Sequence, residues 1–178
     1  MKKLFLILLG TYPALSFSDC IQDASQFHRV NPTVLSAIIM VESGGMAHTI
    51  AKNSNNTLDY GAAGINTIHM PELKKHGIAP TDLMNPCVNT YVAAWHLSKK
   101  IAQFGNTWYG IAAYHSTTPY FNNRYQIMLN NALIDMGVSQ GNKRPVPPLR
   151  PNGSKVTSAS SSGQKKEEQS SSMVVVNN

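Results

Sequence analysis

The sequence predicts a helix-dominated α+β domain, mainly α, with one small hairpin region near residues 45–66. Three observations carry that expectation. Apolar residues recur at helical spacing in several segments. Those segments open on capping residues followed by proline and close on glycine. No segment alternates strongly enough to make a long strand.

Taken in order, Met1-Lys2-Lys3, the apolar stretch Leu4 to Gly10 and Ser16-Phe17-Ser18 read as a removed export signal over residues 1–18. A membrane anchor would need a longer run than Leu4 to Leu15, which Gly10, Tyr12 and Pro13 interrupt. Asp19 ahead of Cys20 argues against a lipid-modified cysteine. A first short helix begins near Asp19, with Ile21, Ala24 and Phe27 inward. Asn31-Pro32 opens the second, whose apolar stripe is Leu35, Ile38 and Ile39, and Gly44-Gly45 ends it. Between residues 44 and 66, Asn53-Ser54-Asn55-Asn56 reads as a turn between short extended pieces. Asn85-Pro86 starts a helix with Val88, Tyr91, Val92 and Trp95 on one face and a stop at Gly105. Thr107 begins a short one. Thr118-Pro119 begins the last, with Phe121, Tyr125, Met128, Leu129 and Ala132 on one face and Gly137 at its end.

Beyond Val138 the composition turns Pro- and Ser-rich, with Lys165-Lys166-Glu167-Glu168, so residues 139–178 are expected to be a disordered tail behind a domain over 19–138. The run Val174-Val175-Val176 could add a strand to a partner, but reads more simply as a non-functional end.

Glu42 is the most informative residue. It falls at i+7 from Leu35, on the apolar stripe of the second helix, where leucine would be expected. Desolvation against Ile38 and Ile39, together with the negative end of the helix dipole, should raise its pKa. That is how a general acid is made.

The two cysteines, Cys20 and Cys87, most simply form one disulfide in an exported chain. No CxxC pair exists, and the six histidines show no metal-ligand spacing, so neither metal nor cofactor is expected. The formal net charge is +6, and losing Lys2 and Lys3 leaves +4. The lysines are scattered and no nucleic-acid motif is present, so an anionic polymer at the cell surface fits better than nucleic acid.

Glu42-Ser43-Gly44 at a helix end, Asp59-Tyr60-Gly61 leading to Ile65-Asn66, and Ala113-Tyr114-His115 together resemble the three motifs of the soluble-lytic-transglycosylase branch of the lysozyme superfamily. The likeness covers roughly residues 20–135. Gly77-Ile78, Asn85-Pro86-Cys87 with Asn89, and Trp108 resemble the small exported members that accompany secretion and conjugation machines, of the type III and type IV kinds. The resemblance implies a lysozyme-like fold in the periplasm acting on the glycan strands of peptidoglycan. Glu42 would protonate the glycosidic oxygen between N-acetylmuramic acid and N-acetylglucosamine, and the muramic 6-hydroxyl would attack to leave a 1,6-anhydro end. Ser43, Gly64, Asn66, Tyr114 and His115 are then the candidate substrate contacts.

Asp59 keeps a second outcome open. It follows Glu42 by seventeen residues, which is also how animal-type lysozymes place their second carboxylate, so hydrolysis using both acids competes. Asp59 can equally be a turn aspartate that caps local amides. The family's second motif usually reads Gly-Leu-Met-Gln-Ile-Asn, whereas this chain has Gly61-Ala62-Ala63-Gly64-Ile65-Asn66, so three side chains of the cleft floor are expected to be truncated. A weakly active glycan-binding scaffold is the reading of another class that this departure supports.

Overall fold

The structure is a computed structural model and describes residues 16–149. Residues 1–15 of the expected leader, and the Ser-rich tail with Val174-Val175-Val176, lie outside the described residues. Helix α1 (Phe17–His28) is followed by α2 (Pro32–Ser43), strands β1 (Ile50–Lys52), β2 (Leu58–Tyr60) and β3 (Ile65–Asn66), a short α3 (Met70–Leu73), and then α4 (Pro86–Phe104), α5 (Trp108–Ala112) and α6 (Pro119–Asp135). Three 3-10 turns, Thr67–His69, Lys74–His76 and Pro80–Met84, fill the stretch around α3 that has no clear period in the sequence.

The caps behave as their chemistry requires. Ser16 and Asp19 form a reciprocal capping box, the Ser16 amide donating to Asp19 Oδ2 at 2.9 Å. Helix α1 therefore starts two residues before Asp19, inside the segment expected to be a leader. Asn31 Oδ1 accepts the Val34 amide at 3.0 Å, and Gly44 closes α2 in the left-handed conformation at φ 66°.

Leu35 and Ile38 of α2, Leu97 of α4, Ile111 of α5 and Leu129 of α6 form the centre of the core with Leu83. α4 is the central element, packing against both α1 and α5. Its burial departs from the single stripe expected. Val92 of that stripe is buried, as are Asn89, Thr90, Ala93, Ala94, His96 and Leu97, while Val88, Tyr91 and Trp95 line an apolar groove beside α1. Small and polar side chains let neighbours approach the helix on most of its circumference, which a hydrophobic period cannot reveal. The inward placement of Phe27 needs correction. Its ring lies 5.9 Å from that of Tyr91, but it stands at the last turn of α1 over the groove and, among the described residues, is 72% exposed.

The turn at 53–56 joins β1 to β2 as the expected hairpin, and β3 adds a third strand, giving an antiparallel sheet in the order β1-β2-β3. Asn89 ties this sheet to α4. Its side-chain amide donates to the carbonyls of Tyr60 (2.8 Å) and Leu83 (3.0 Å) and its oxygen accepts the Ala63 amide at 2.8 Å, all from a fully buried position. Gly61 has φ 70°, and a Cβ there would strike the Asn89 amide, so the chain passes directly over it. Asn89→Ala strands two carbonyls and one amide in the interior, and we expect a loss of about 3 kcal/mol or more in chemical denaturation. Cys20 in α1 and Cys87 at the start of α4 are joined as the cysteine count implies.

Candidate active site

Two cavities matter, and their chemistry separates them. The groove between α1 and α4, about 620 Å³, is lined by Phe27, Tyr91, Trp95 and other apolar groups and holds no carboxylate. The second, a cleft of about 400 Å³, runs between the end of α2, the sheet and the turn after α5, and contains both Glu42 and Asp59.

Glu42 reaches this cleft from the last turn of α2. Its side chain is only 19% exposed, above Ile38 and Ile39, which are buried. The Tyr125 hydroxyl donates to Glu42 Oε1 at 2.6 Å, and His115 Nδ1 stands 3.9 Å from the same oxygen. The His115 ring stacks on Tyr125, 4.7 Å between centroids and 3° from parallel. Burial pushes the Glu42 carboxyl up to about 7; the Tyr125 bond opposes that rise and the Asp59 charge adds to it. The same proximity and burial hold the Tyr125 hydroxyl protonated well above its ordinary value, so it serves as a donor throughout the physiological range.

Asp59 lies on β2, directly across from Asn66 on β3. The Asn66 side-chain amide donates to Asp59 Oδ1 at 2.6 Å and to the Thr57 hydroxyl at 2.9 Å, while Asn53 donates to Asp59 Oδ2 at 2.9 Å. Each carboxylate oxygen therefore has an amide partner, which fixes its orientation toward the cleft. Asn66 Oδ1 accepts the Ile68 amide at 2.9 Å, so the side chain is engaged at both ends within this network.

The other residues singled out from the sequence fall in different places. Gly64, Asn66, Tyr114 and His115 line the cleft. Ser43 does not; its hydroxyl turns back to the Ile39 carbonyl at 3.4 Å. Tyr114 is buried beside the cleft and donates its hydroxyl to the Ala63 carbonyl at 2.8 Å, not to Glu42. The expected truncation of three floor side chains also needs correction. Ala62 and Ala63 are fully buried in the core, where neighbouring residues close over them, and only Gly64 of the three faces the cleft.

Tyr125 is the partner of Glu42 that sequence reasoning does not single out, and His69 and His96 are cleft residues it does not single out either. Tyr125 sits on the apolar stripe of α6, 83 residues from Glu42 in sequence. The one available signal is chemical: a tyrosine in a buried stripe needs a partner for its hydroxyl, where phenylalanine would not. His96 and His69 close the far wall with rings 4.4 Å apart. Burial, then the neighbouring His69, press His96 down to about 4, so it is neutral at ordinary pH.

Among the described residues no helix is long and apolar enough to cross a membrane. The profile of the transglycosylase SLT domain matches residues 19–127. A peptidoglycan-binding-like protein of Escherichia coli O157:H7 is 34% identical over 119 residues, covering 62% of this chain and 71% of that protein. Protein IpgF of Shigella flexneri is 30% identical over 119 residues, with 66% and 78% covered. Invasion protein IagB of Salmonella typhimurium is 32% identical over 104 residues, with 58% and 65% covered. In fold, the chain is similar to the solved lytic transglycosylase Slt of Pseudomonas aeruginosa, an inactive mutant, at TM-score 0.50 and 17% identity. The match covers 68% of this chain and 24% of that larger one. With its helical lysozyme-like architecture and a profile match over most of the described domain, the chain belongs to the transglycosylase SLT domain family, the peptidoglycan lytic transglycosylases.

Proposed function

We propose that Glu42 is the general acid and then the general base in cleavage of the bond between N-acetylmuramic acid and N-acetylglucosamine. One observation carries the reading: a carboxyl largely buried on the wall of a polar cleft and held in one orientation by the Tyr125 hydroxyl, where desolvation pushes it up to about 7. Protonated Glu42 gives its proton to the glycosidic oxygen, which leaves with the bonding electron pair. The resulting carboxylate takes the proton from the muramic 6-hydroxyl as its oxygen closes on C1, giving the 1,6-anhydro end. Asp59 faces the oxocarbenium-like charge from the sheet side of the cleft.

The fixed Asp59 carboxylate in the same cleft supports a second reading, in which water attacks C1 and the product is a reducing end. Mass spectrometry of fragments released from purified peptidoglycan by the protein lacking its leader separates the two. Anhydro-muramyl ends support transglycosylation and reducing ends support hydrolysis. No Glu42-dependent release from folded protein would leave a glycan-binding scaffold.

We assign the protein to the periplasm, with a leader over 1–18, a catalytic domain over 19–138 and a tail over 139–178. There it opens the wall locally for a secretion or conjugation apparatus. A relative named as an invasion protein is the support for that use. The tail is proposed to recruit the apparatus.

Tyr125→Phe tests the hydrogen bond at Oε1. That bond favours the ionised carboxylate, so its loss raises the Glu42 pKa. We expect the alkaline limb of the pH–rate profile to move up by about one unit and turnover to fall about tenfold, because a bond to a charged group is worth about 1.5 kcal/mol.

A further inference from the structure

The two oxygens of Glu42 have different surroundings. Oε1 accepts the Tyr125 hydroxyl at 2.6 Å and faces His115. Among the described residues no hydrogen bond reaches Oε2. It lies over Gly64, where a Cβ would come within 3.0 Å of it. Gly64 is held there at φ 60° with its amide donating to the Gly61 carbonyl at 3.2 Å, so it offers the cleft space and not a donor. A protonated carboxyl accepting a hydroxyl at one oxygen carries its own proton on the other.

We propose that Oε2 of Glu42 delivers the proton, and that the bare backbone of Gly64 keeps the adjoining space open for a free water, so residue 64 sets the partition between reducing and anhydro ends. The inference rests on Glu42 being the acid and base, and it assigns the step to one oxygen. Oε2 protonates the leaving glycosidic oxygen, the C1–O bond breaks with its electron pair going to that oxygen, and the Oε2 carboxylate then takes a proton from whichever hydroxyl bonds to C1. A water that occupies the space above Gly64 stands beside Oε2, within reach of the carboxylate that takes its proton. The 6-hydroxyl is tethered to the sugar and does not depend on that space.

The test compares Gly64→Ala with Gly77→Ala, both judged on peptidoglycan fragments by mass spectrometry. Gly77 has φ 75°, and a methyl group added there would meet nothing within 4 Å, so its alanine variant carries similar backbone strain without touching the site. We expect Gly64→Ala to lower the fraction of reducing ends at least threefold and the rate about tenfold, and to move the alkaline limb upward as Oε2 loses contact with solvent. Gly77→Ala should keep the wild-type ratio and limb. Should Gly64→Ala not fold, Gly64→Asn repeats the comparison with a side chain that tolerates left-handed backbone. Equal ratios and limbs in the residue 64 and residue 77 variants would overturn the proposal, as would a wild type that makes no reducing ends. Absence of Glu42-dependent cleavage in folded wild type is a different result, because it removes the acid itself.

Discussion

Glu42→Gln is expected to lower glycan cleavage by about 10²–10⁴-fold, the range for removing a positioned general acid. Glutamine keeps the shape and still accepts the Tyr125 hydroxyl, so the change isolates the proton. In the wild type the acid is competent below its pKa of about 7, and turnover should fall tenfold per unit above that. Stability should move the other way. The folded pKa is raised above the ordinary 4.5, so the carboxyl's favourable contribution is complete below pH 4.5 and is lost as pH rises through 7. Glu42→Gln should therefore match the wild type in stability near pH 4 and exceed it by about 3 to 3.5 kcal/mol at pH 8, at about 1.4 kcal/mol per unit. Thermal denaturation at the two pH values reads this directly. A variant less stable at pH 8 would mean that the carboxylate has a cationic partner and serves the fold.

That pairing of lost activity with gained stability follows from a conflict already visible in the chain, an acid in the place of a leucine. Glu42 was legible because its helix is bounded by unambiguous chemistry, Asn31-Pro32 at one end and Gly44 at the other, which fixes the phase of the stripe. Asp59 and Asn66 were legible through the motif that runs from Asp59-Tyr60-Gly61 to Ile65-Asn66, but their pairing across β2 and β3 depends on strand register, which two- and three-residue strands do not announce. Tyr125 was hidden by its own success as a core residue: it satisfies the apolar period of α6 and reveals its role only where α6 meets α2.

The remaining misreadings share a cause. Phe27 and the outer edge of the α4 stripe, Val88, Tyr91 and Trp95, obey the helical period as Val92 does, yet the period says nothing about whether another element covers the stripe, and of the four α4 residues only Val92 is buried. Ala62 and Ala63 looked like missing floor because they stand in a site motif. The chain turns there so that both methyls point into the core and only Gly64 meets the cleft. The family motif located the segment; which side of it faces substrate is set by the tight turn from Gly61 to Gly64 and by the Asn89 bonds beneath it.

Removing the Cys20–Cys87 bridge should produce the largest stability loss. The bridge spans 67 residues, and closing a loop of that length restricts the unfolded chain by about 4 kcal/mol. For a domain of this size that corresponds to a fall of roughly 15 °C in Tm. The paired variant Cys20→Ala with Cys87→Ala is the suitable form, because Cys20 is 1% exposed and serine would bury a hydroxyl there. Most of the cleft residues stand on α2, the sheet and the turn after α5, with Tyr125 of α6 beside them; α4 contributes His96, about two and a half turns beyond Cys87, where the bridge fastens α1 to α4 on the side of the apolar groove. Cleavage per folded molecule at low temperature should accordingly stay within about twofold of wild type, with the loss confined to the fraction folded. Calorimetry and a cleavage assay below the transition check both halves. Equal Tm in the variant and wild type would mean that packing between α1 and α4 already holds the two helices together in the unfolded ensemble. A fall in cleavage per folded molecule would instead mean that α4, through Asn89, transmits the position of α1 to the Gly61–Gly64 turn beneath Glu42.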